Sequence, residues 1–463
     1  MKRFSWFICL LVYSSISVAQ PVQERLAKAV EKLQSDPQMA HAILGLSIVN
    51  SESGAKIFEL NSQTGLAPAS CQKTITSAAA MELLGHDYRY RTILGYDGTI
   101  SKGSLKGNVY LIGSGDPTLG SWRFDATKED KVMNAWLDVF KQNGIHTING
   151  SLTGYNGKWE QDIIPGGWIW DDMGNYYGAG NAALNWHENQ YDLSLRSGSV
   201  IGDAVTIIET RPKPYNVQLE SQVLSAAKGS GDNAYIYLSP YAHVGFVRGT
   251  IPADEKRFTI SGSFPDPAMQ LIATLNQKLD SAGSKPRNFS VSNAKEIPVY
   301  QTLGVYHSPS LDSINYWFMK KSINLYGEAL VKTIAYEKTG FGSTDKGVEL
   351  VKQFWKERGI ESSALHIIDG SGLSPQNRVT ADALVKVLQY AKSRPWFSYY
   401  YDALPVFNQM KLKSGTIGGA KSFAGYHTSK DGTAYTVAII INNYDGSAAE
   451  LVKKMYAVLD ELK

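Results

Sequence analysis

The sequence predicts an α+β protein. One antiparallel sheet, covered by helices, is assembled from both ends of the chain and interrupted by a large insertion that carries a nested β-rich unit. Three observations predict this. The start of the chain reads helix, hairpin, helix. The last third reads as a series of helices, then strands, then one helix. Between them the texture changes to short strands punctuated by glycine.

Taken in order, Val22, Leu26, Val30 and Leu33 recur at helical spacing and stop before Asp36-Pro37. Ala42 to Val49 and Ala55 to Leu60 are apolar runs separated by Asn50-Ser51-Glu52-Ser53-Gly54, a hairpin pattern. Pro68 to Gly85 follows as an Ala-rich helix that starts at Ser70 and is apolar on more than one side, hence buried on most faces. Short strands are predicted at Arg91 to Tyr96, Gly107 to Ile112 and Ser151 to Tyr155, with a helix over Lys131 to Lys141 stopped by Gly144. Gly166 to Gly178 is an aromatic, Gly-rich loop of the kind that lines a cleft or forms a large ordered surface loop. Strands without a convincing helix occupy 204 to 264, and a helix runs from Pro267 to Leu279. From about 298 the chain reads helical through Leu311 to Lys321, Leu325 to Tyr336, Gly347 to Arg358 and Thr380 to Lys392. It ends with strands at Met410 to Ser414, Ser422 to His427 and Ala434 to Ile441, the last two joined through Asp431-Gly432, and a helix from Ala448 to Leu462. The expected division is 1–19 targeting segment, 20–94 with 298–463 main unit, 95–203 with 266–297 insertion, and 204–265 nested β-rich unit.

Composition narrows the function classes. The chain has 463 residues, 43% hydrophobic, with a formal net charge of +3, so nothing in its electrostatics argues for nucleic acid. Met1-Lys2-Arg3, the apolar run Phe4 to Ile16 and the small-x-small site Ser17-Val18-Ala19 read as a cleaved secretory signal peptide. No later segment reaches the roughly 18 apolar residues a spanning helix needs, so a periplasmic or secreted product without a transmembrane segment is expected. Cys9 leaves with the signal, which makes Cys71 the sole remaining cysteine and excludes an intrachain disulfide.

The chemistry starts at Ser70. Lys73 lies one turn later on the same face of a buried helix, where desolvation lowers its proton affinity and lets it accept the serine proton. A capping serine followed by a snorkelling lysine satisfies the same spacing. Cys71 is a weaker candidate nucleophile, because nothing nearby supplies an imidazole to make a thiolate. A serine nucleophile also needs a proton relay, an oxyanion hole and, for a substrate ending in a carboxylate, a fixed cation. Ser322 and Asn324 sit at a junction between two predicted helices. Lys413, Ser414, Gly415 and Thr416 lie on a predicted inner strand, offering charge, hydroxyls and a residue that permits close backbone approach. Two decoys are set aside: Ser313-Ile314-Asn315 falls inside a helix, and Lys338-Thr339-Gly340 ends one, with Gly340 as its cap.

S-x-x-K, S-x-N and K-[ST]-G in this order resemble the penicillin-recognising serine enzymes. The long insertion is similar to that of the type-4 penicillin-binding proteins, class C D-alanyl-D-alanine carboxypeptidase/endopeptidases. Gly115-Asp116-Pro117-Thr118-Leu119, Trp168-x-Trp170-x-Asp172 and Asp369-Gly370-Ser371-Gly372-Leu373-Ser374 extend the resemblance over essentially the whole mature chain. Ile323 and Ser414 depart from the usual Asp and Thr. The resemblance implies a transpeptidase/β-lactamase-like domain acting on peptidoglycan peptides, inhibited covalently by β-lactams, with no cofactor and no metal. It implies Ser70 as nucleophile, Lys73 as its base, and Ser322 as relay to the departing D-alanine. Asn324 would hold Lys73 and the substrate amide, and Lys413, Ser414 and Thr416 the terminal carboxylate. The N–H groups of Ser70 and Thr416 would form the oxyanion hole. It also implies that Asp116 faces the cleft and meets a stem-peptide amino group, with Trp122 beside it.

The competing classes lack their signatures. No E-x-x-x-N lies between Asn324 and Lys413, as a class A β-lactamase would require, no G-x-S-x-G exists, and the eight His form no H-x-x-x-H pair. A non-catalytic wall-peptide binding protein would not need Ser70, Lys73, Ser322 and Lys413 all intact.

Overall fold

The structure, a computed structural model, describes residues 21–463; the signal-peptide expectation lies outside the described residues. A six-stranded antiparallel sheet runs in the order Val406–Phe407, Met410–Ile417, Ala420–Thr428, Ala434–Asn442, Ile43–Asn50, Lys56–Leu60. Both ends of the chain therefore meet in one sheet, in the register Ile43 with Asn442 through Asn50 with Tyr435. Residues alternate between its faces as a period of two demands. Val437, Ile439 and Ile441 join Leu44, Leu46 and Ile48 under the terminal helices Val22–Gln34 and Ala448–Asp460, which contribute Leu26, Val30, Leu33, Leu451 and Met455. Ala438 and Ile440 point the other way, into a larger core shared with the helices Lys73–Leu83, Leu311–Lys321, Asn324–Thr339, Thr344–Lys356 and Ala381–Lys392. Being covered on both sides, Ala434–Asn442 is buried without a break from Tyr435 to Ile441 rather than in alternation.

The insertion is entered and left through paired strands. Arg91–Tyr96 and Gln301–His307 lie side by side in a five-stranded sheet with Val109–Ile112, Leu152–Tyr155 and Phe289–Ser292. The helical reading from 298 onward is corrected here: Gln301–His307 is a strand. It shows no clean alternation because its four middle residues are all half-buried, its ends are exposed, and it carries an irregularity between Thr302 and Gly304. The short helix Phe397–Ala403 also went unanticipated. The β-rich unit contains two three-stranded sheets, and the middle strand of one is Gln190–Arg196, upstream of the expected start at 204. Tyr191, Leu193 and Leu195 bury themselves in that unit's own core.

Both decoy motifs are structural. Ile314 and Asn315 are buried within their helix, where Asn315 accepts a hydrogen bond from Ser77 Oγ at 2.6 Å. Gly340 adopts φ 79° and caps its helix, its N–H donating to Tyr336 O at 2.7 Å.

Candidate active site

Ser70 lies in a short 3₁₀ turn, Ala69–Gln72, that runs into the helix Lys73–Leu83. No side chain caps either element, so Ser70 is not there to hold a helix end. Lys73 does not snorkel either. It is fully buried, and every residue of its helix through Met81 is buried with it.

The Lys73 amine has three neighbours: Ser70 Oγ at 3.0 Å, Asn324 Oδ1 at 2.6 Å and the Ser371 carbonyl at 2.7 Å. Burial, reinforced by the Lys413 charge, holds its proton affinity well below the usual lysine range, against the opposing pull of Asp369 and Glu328. Two of the three neighbours are carbonyl acceptors. A neutral amine gives its two N–H groups to them, and its lone pair is then directed at the serine hydroxyl. The arrangement can take a proton from Ser70.

Each contact is fixed from behind. Ser322 ends the helix Leu311–Lys321 in the left-handed region, φ 58°, and the next helix starts at Asn324, so the reversal sets both side chains at one wall. Ile323 packs against the main core while also lining the cleft, so an apolar residue occupies this position without loss of packing. Asn324 Nδ2 donates to Tyr177 O at 2.8 Å, tying it to the aromatic loop. Ser371 is held through Asp369, which accepts from Gln72 Nε2, Gly372 N, Ser374 N, Asn377 Nδ2 and Trp168 Nε1. In the sequence this Gly-Ser-Gly stretch stands only as part of the resemblance; in the structure it presents a carbonyl to Lys73. Glu328, one turn beyond Asn324, was missed. It is fully buried, accepts from Gly370 N at 2.9 Å, and burial raises its carboxyl to about 8. An acidic side chain one helical turn after S-x-N was the available signal.

The strand Met410–Ile417 forms the opposite wall. Lys413 is 1% exposed, donates to Ser414 O at 2.7 Å, and burial pulls its ammonium down to about 8. Gly415 is the point of closest approach: a Cβ there would meet Ser70 N at 2.8 Å and Pro68 O at 2.6 Å. Ser70, Ser322, Asn324 and Thr416 line one cleft of about 840 Å³, with Lys413, Ser414 and Gly415 on the strand behind it. Cys71 is buried with its thiol raised by that burial, and its Sγ donates to Lys413 O at 3.1 Å, which leaves no reactive thiolate.

The expectation for Asp116 is corrected. It is completely buried and not part of the cleft wall. Its Oδ1 accepts from Thr118 N at 2.8 Å and Thr118 Oγ1 at 2.6 Å, a local turn that locks the carboxyl inward, and burial raises it to about 6. Trp122 does line the cleft, half in solvent, but its ring packs on His187 and Arg123 rather than on Asp116. The carboxylates in the cleft wall are instead Asp171 and Asp172 of the aromatic loop, next to Tyr176 and Tyr177, and Glu188, which is paired with Arg123. Burial pushes Asp172 up to about 6, opposed by the neighbouring Tyr177 hydroxyl. Among the described residues no group of His, Cys, Asp and Glu is arranged to hold a metal ion, and no helix is long and apolar enough to cross a membrane.

Known proteins share this architecture and sequence. A D-alanyl-D-alanine carboxypeptidase of an Actinomadura species is 26% identical, over 94% of this chain and 84% of its own length. The D-alanyl-D-alanine carboxypeptidase DacB of Haemophilus influenzae is 25% identical over 84% and 83%. The crystal structure of penicillin binding protein 4 from Haemophilus influenzae superposes with a TM-score of 0.80 at 23% identity, covering 94% of this chain and 98% of that one, which shows a common fold. With residues 26–462 matching a single family from the first buried helix to the last, the chain belongs to the D-Ala-D-Ala carboxypeptidase 3 (S13) family.

Proposed function

We propose that the protein is an exported serine D-alanyl-D-alanine carboxypeptidase and endopeptidase, which cleaves peptidoglycan stem peptides through an acyl-enzyme and is acylated by β-lactams at the same serine. The observation that carries this is the buried Lys73 amine, held between two carbonyl oxygens and 3.0 Å from Ser70 Oγ. Neutral Lys73 takes the Ser70 proton as Oγ attacks the penultimate D-alanine carbonyl. The oxyanion forms against the N–H groups of Ser70 and Thr416, which the close approach at Gly415 supports. The proton passes from Lys73 through the Ser322 hydroxyl to the departing amine, and the C–N bond breaks. Water then attacks the ester, giving up its proton to Lys73, and Ser70 recovers its hydrogen as the ester bond breaks. Lys413, Ser414 and Thr416 hold the terminal carboxylate.

Asp172 takes the role expected of Asp116, facing a cationic side chain on the stem peptide; its place in the cleft wall supports this. The division into a catalytic unit from both chain ends, an insertion and a nested β-rich unit belongs to the same reading, with the insertion acting as a wall of the site. Lys332, fully buried on a catalytic helix, reaches the Asp162 and Asn181 carbonyls at 2.8 and 3.0 Å and supports that role. The deciding experiment compares wild type with Ser70→Ala, measuring acylation by labelled penicillin and D-alanine release from purified muropeptides, monomeric and cross-linked. Both activities vanish in the variant while the fold persists. Undiminished labelling of Ser70→Ala overturns the assignment.

A further inference from the structure

The mechanism uses one carboxylate of the substrate, the terminal one, yet the cleft offers a second cationic corner. Arg123 lines it. Its Nε donates to both oxygens of Glu188, at 2.8 and 3.1 Å, and Glu188 is buried and also accepts from Ser121 Oγ and Tyr326 Oη. The guanidinium carbon lies 5.3 Å from the Trp122 ring and 5.5 Å from the Trp317 ring, so the group is held in place by two aromatic faces and one carboxylate. Its two terminal nitrogens have no acceptor among the described residues, although the side chain is only 17% exposed. Lys321, one turn after Trp317 on the helix Leu311–Lys321, lines the same cleft, and it too makes no ion pair among the described residues. A guanidinium tethered through Nε presents its Nη edge as a two-pronged donor, and the shape that matches it is a carboxylate.

We propose that the Arg123–Lys321 corner is a second carboxylate subsite, which binds an acidic group of the stem peptide upstream of the scissile bond. The inference rests on the peptidase reading and adds a determinant of specificity to it. The charges of the cleft fall into three groups: a buried lysine behind the terminal-carboxylate site, Asp171 and Asp172 on the aromatic loop, and a corner where Arg123 is paired with Glu188 and Lys321 adds a further cation. That pattern complements a peptide carrying a terminal carboxylate, a cationic side chain and a further carboxylate. The further carboxylate has two sources in a stem peptide, the acidic second residue or a carboxyl on the third residue's side chain, and the test separates them.

The experiment uses three synthetic pentapeptides ending in D-Ala-D-Ala: one with both carboxyls free, one amidated on the second residue, one amidated on the third. D-alanine release is followed with wild type, Arg123→Gln and Lys321→Ala, and labelled penicillin reports that the Ser70 centre of each protein is intact. In wild type, amidation at the bound position lowers kcat/KM about tenfold or more, mainly through KM. Arg123→Gln removes that preference by losing activity on the free acid alone, and Lys321→Ala weakens it. Equal turnover of all three peptides by wild type overturns the subsite, as does a preference that survives Arg123→Gln. Should Arg123→Gln fail to fold, the wild-type comparison and the exposed Lys321 still decide. If wild type takes penicillin but releases no D-alanine from any peptide, the peptidase reading itself falls, and the subsite with it.

Discussion

Gly415→Ala tests whether the approach of the Met410–Ile417 strand to the nucleophile matters. The added methyl would stand 2.4 Å from Ser422 Oγ, 2.6 Å from Pro68 O and 2.8 Å from Ser70 N. Ser422 Oγ cannot swing aside freely, since it donates to Pro68 O at 2.6 Å. The other two contacts are backbone, so relief comes from sliding the strand away from the Ser70 turn. Overpacking of this kind costs about 1–3 kcal/mol, a fall of a few degrees in Tm that leaves a folded protein. The effect on chemistry is larger, because the same shift moves Thr416 N–H away from Ser70 N–H. Loss of one oxyanion donor slows a reaction about 10²- to 10³-fold. Penicillin acylation rates and D-alanine release, measured with thermal unfolding, separate the two consequences. Gly166→Ala, whose Cβ would have nothing within 4 Å, is the control. Acylation by Gly415→Ala within about threefold of wild type would show that the oxyanion site is built elsewhere.

Two further outcomes are expected. Lys413 titrates near 8 because it is buried, so its charge is present below that pH and lost above it. KM for substrates with a free terminal carboxylate therefore rises above about pH 8, while substrates with an amidated terminus show no such limb. The stability contribution of Lys413 runs the opposite way: the unfolded chain holds this proton to higher pH, so the folded state gains as pH climbs from about 8 toward the ordinary lysine range. Asp172→Asn removes a cleft carboxylate that is ionised above about pH 6. It should raise KM about tenfold for stem peptides with a cationic third residue and leave uncharged ones unaffected, as read from peptide pairs at pH 7.5.

Much of this site was legible in the sequence because its key groups sit where local rules are strong. Ser70 and Lys73 are one turn apart on an Ala-rich segment with no polar face, so burial of the lysine followed from the pattern. Ser322 and Asn324 fell at a helix junction, and the hairpin signal at Asp431-Gly432 fixed which strands are neighbours. What was not legible depends on groups brought together across the chain. Asp116 and Asp172 both stand in motifs of similar weight; the first closes a local turn with Thr118, and only tertiary structure buries it away from the cleft and brings the second to the cleft wall. The Ser371 carbonyl has no sequence signature, since any residue carries one. Gln301–His307 was missed because a strand half-buried on both faces has no period to detect.

The register that joins Ile43–Asn50 to Ala434–Asn442 has a kinetic consequence. Ile43–Asn50 pairs locally with Lys56–Leu60, but nearly the whole polypeptide must be made before its other edge finds a partner, so the nucleophile's scaffold is completed last. The pairing of Arg91–Tyr96 with Gln301–His307 shortens that wait: once the insertion has folded on itself, the long intervening stretch acts as a closed loop, and the search for the final partner spans far fewer free links. The insertion thereby serves the assembly of the sheet as well as walling the cleft.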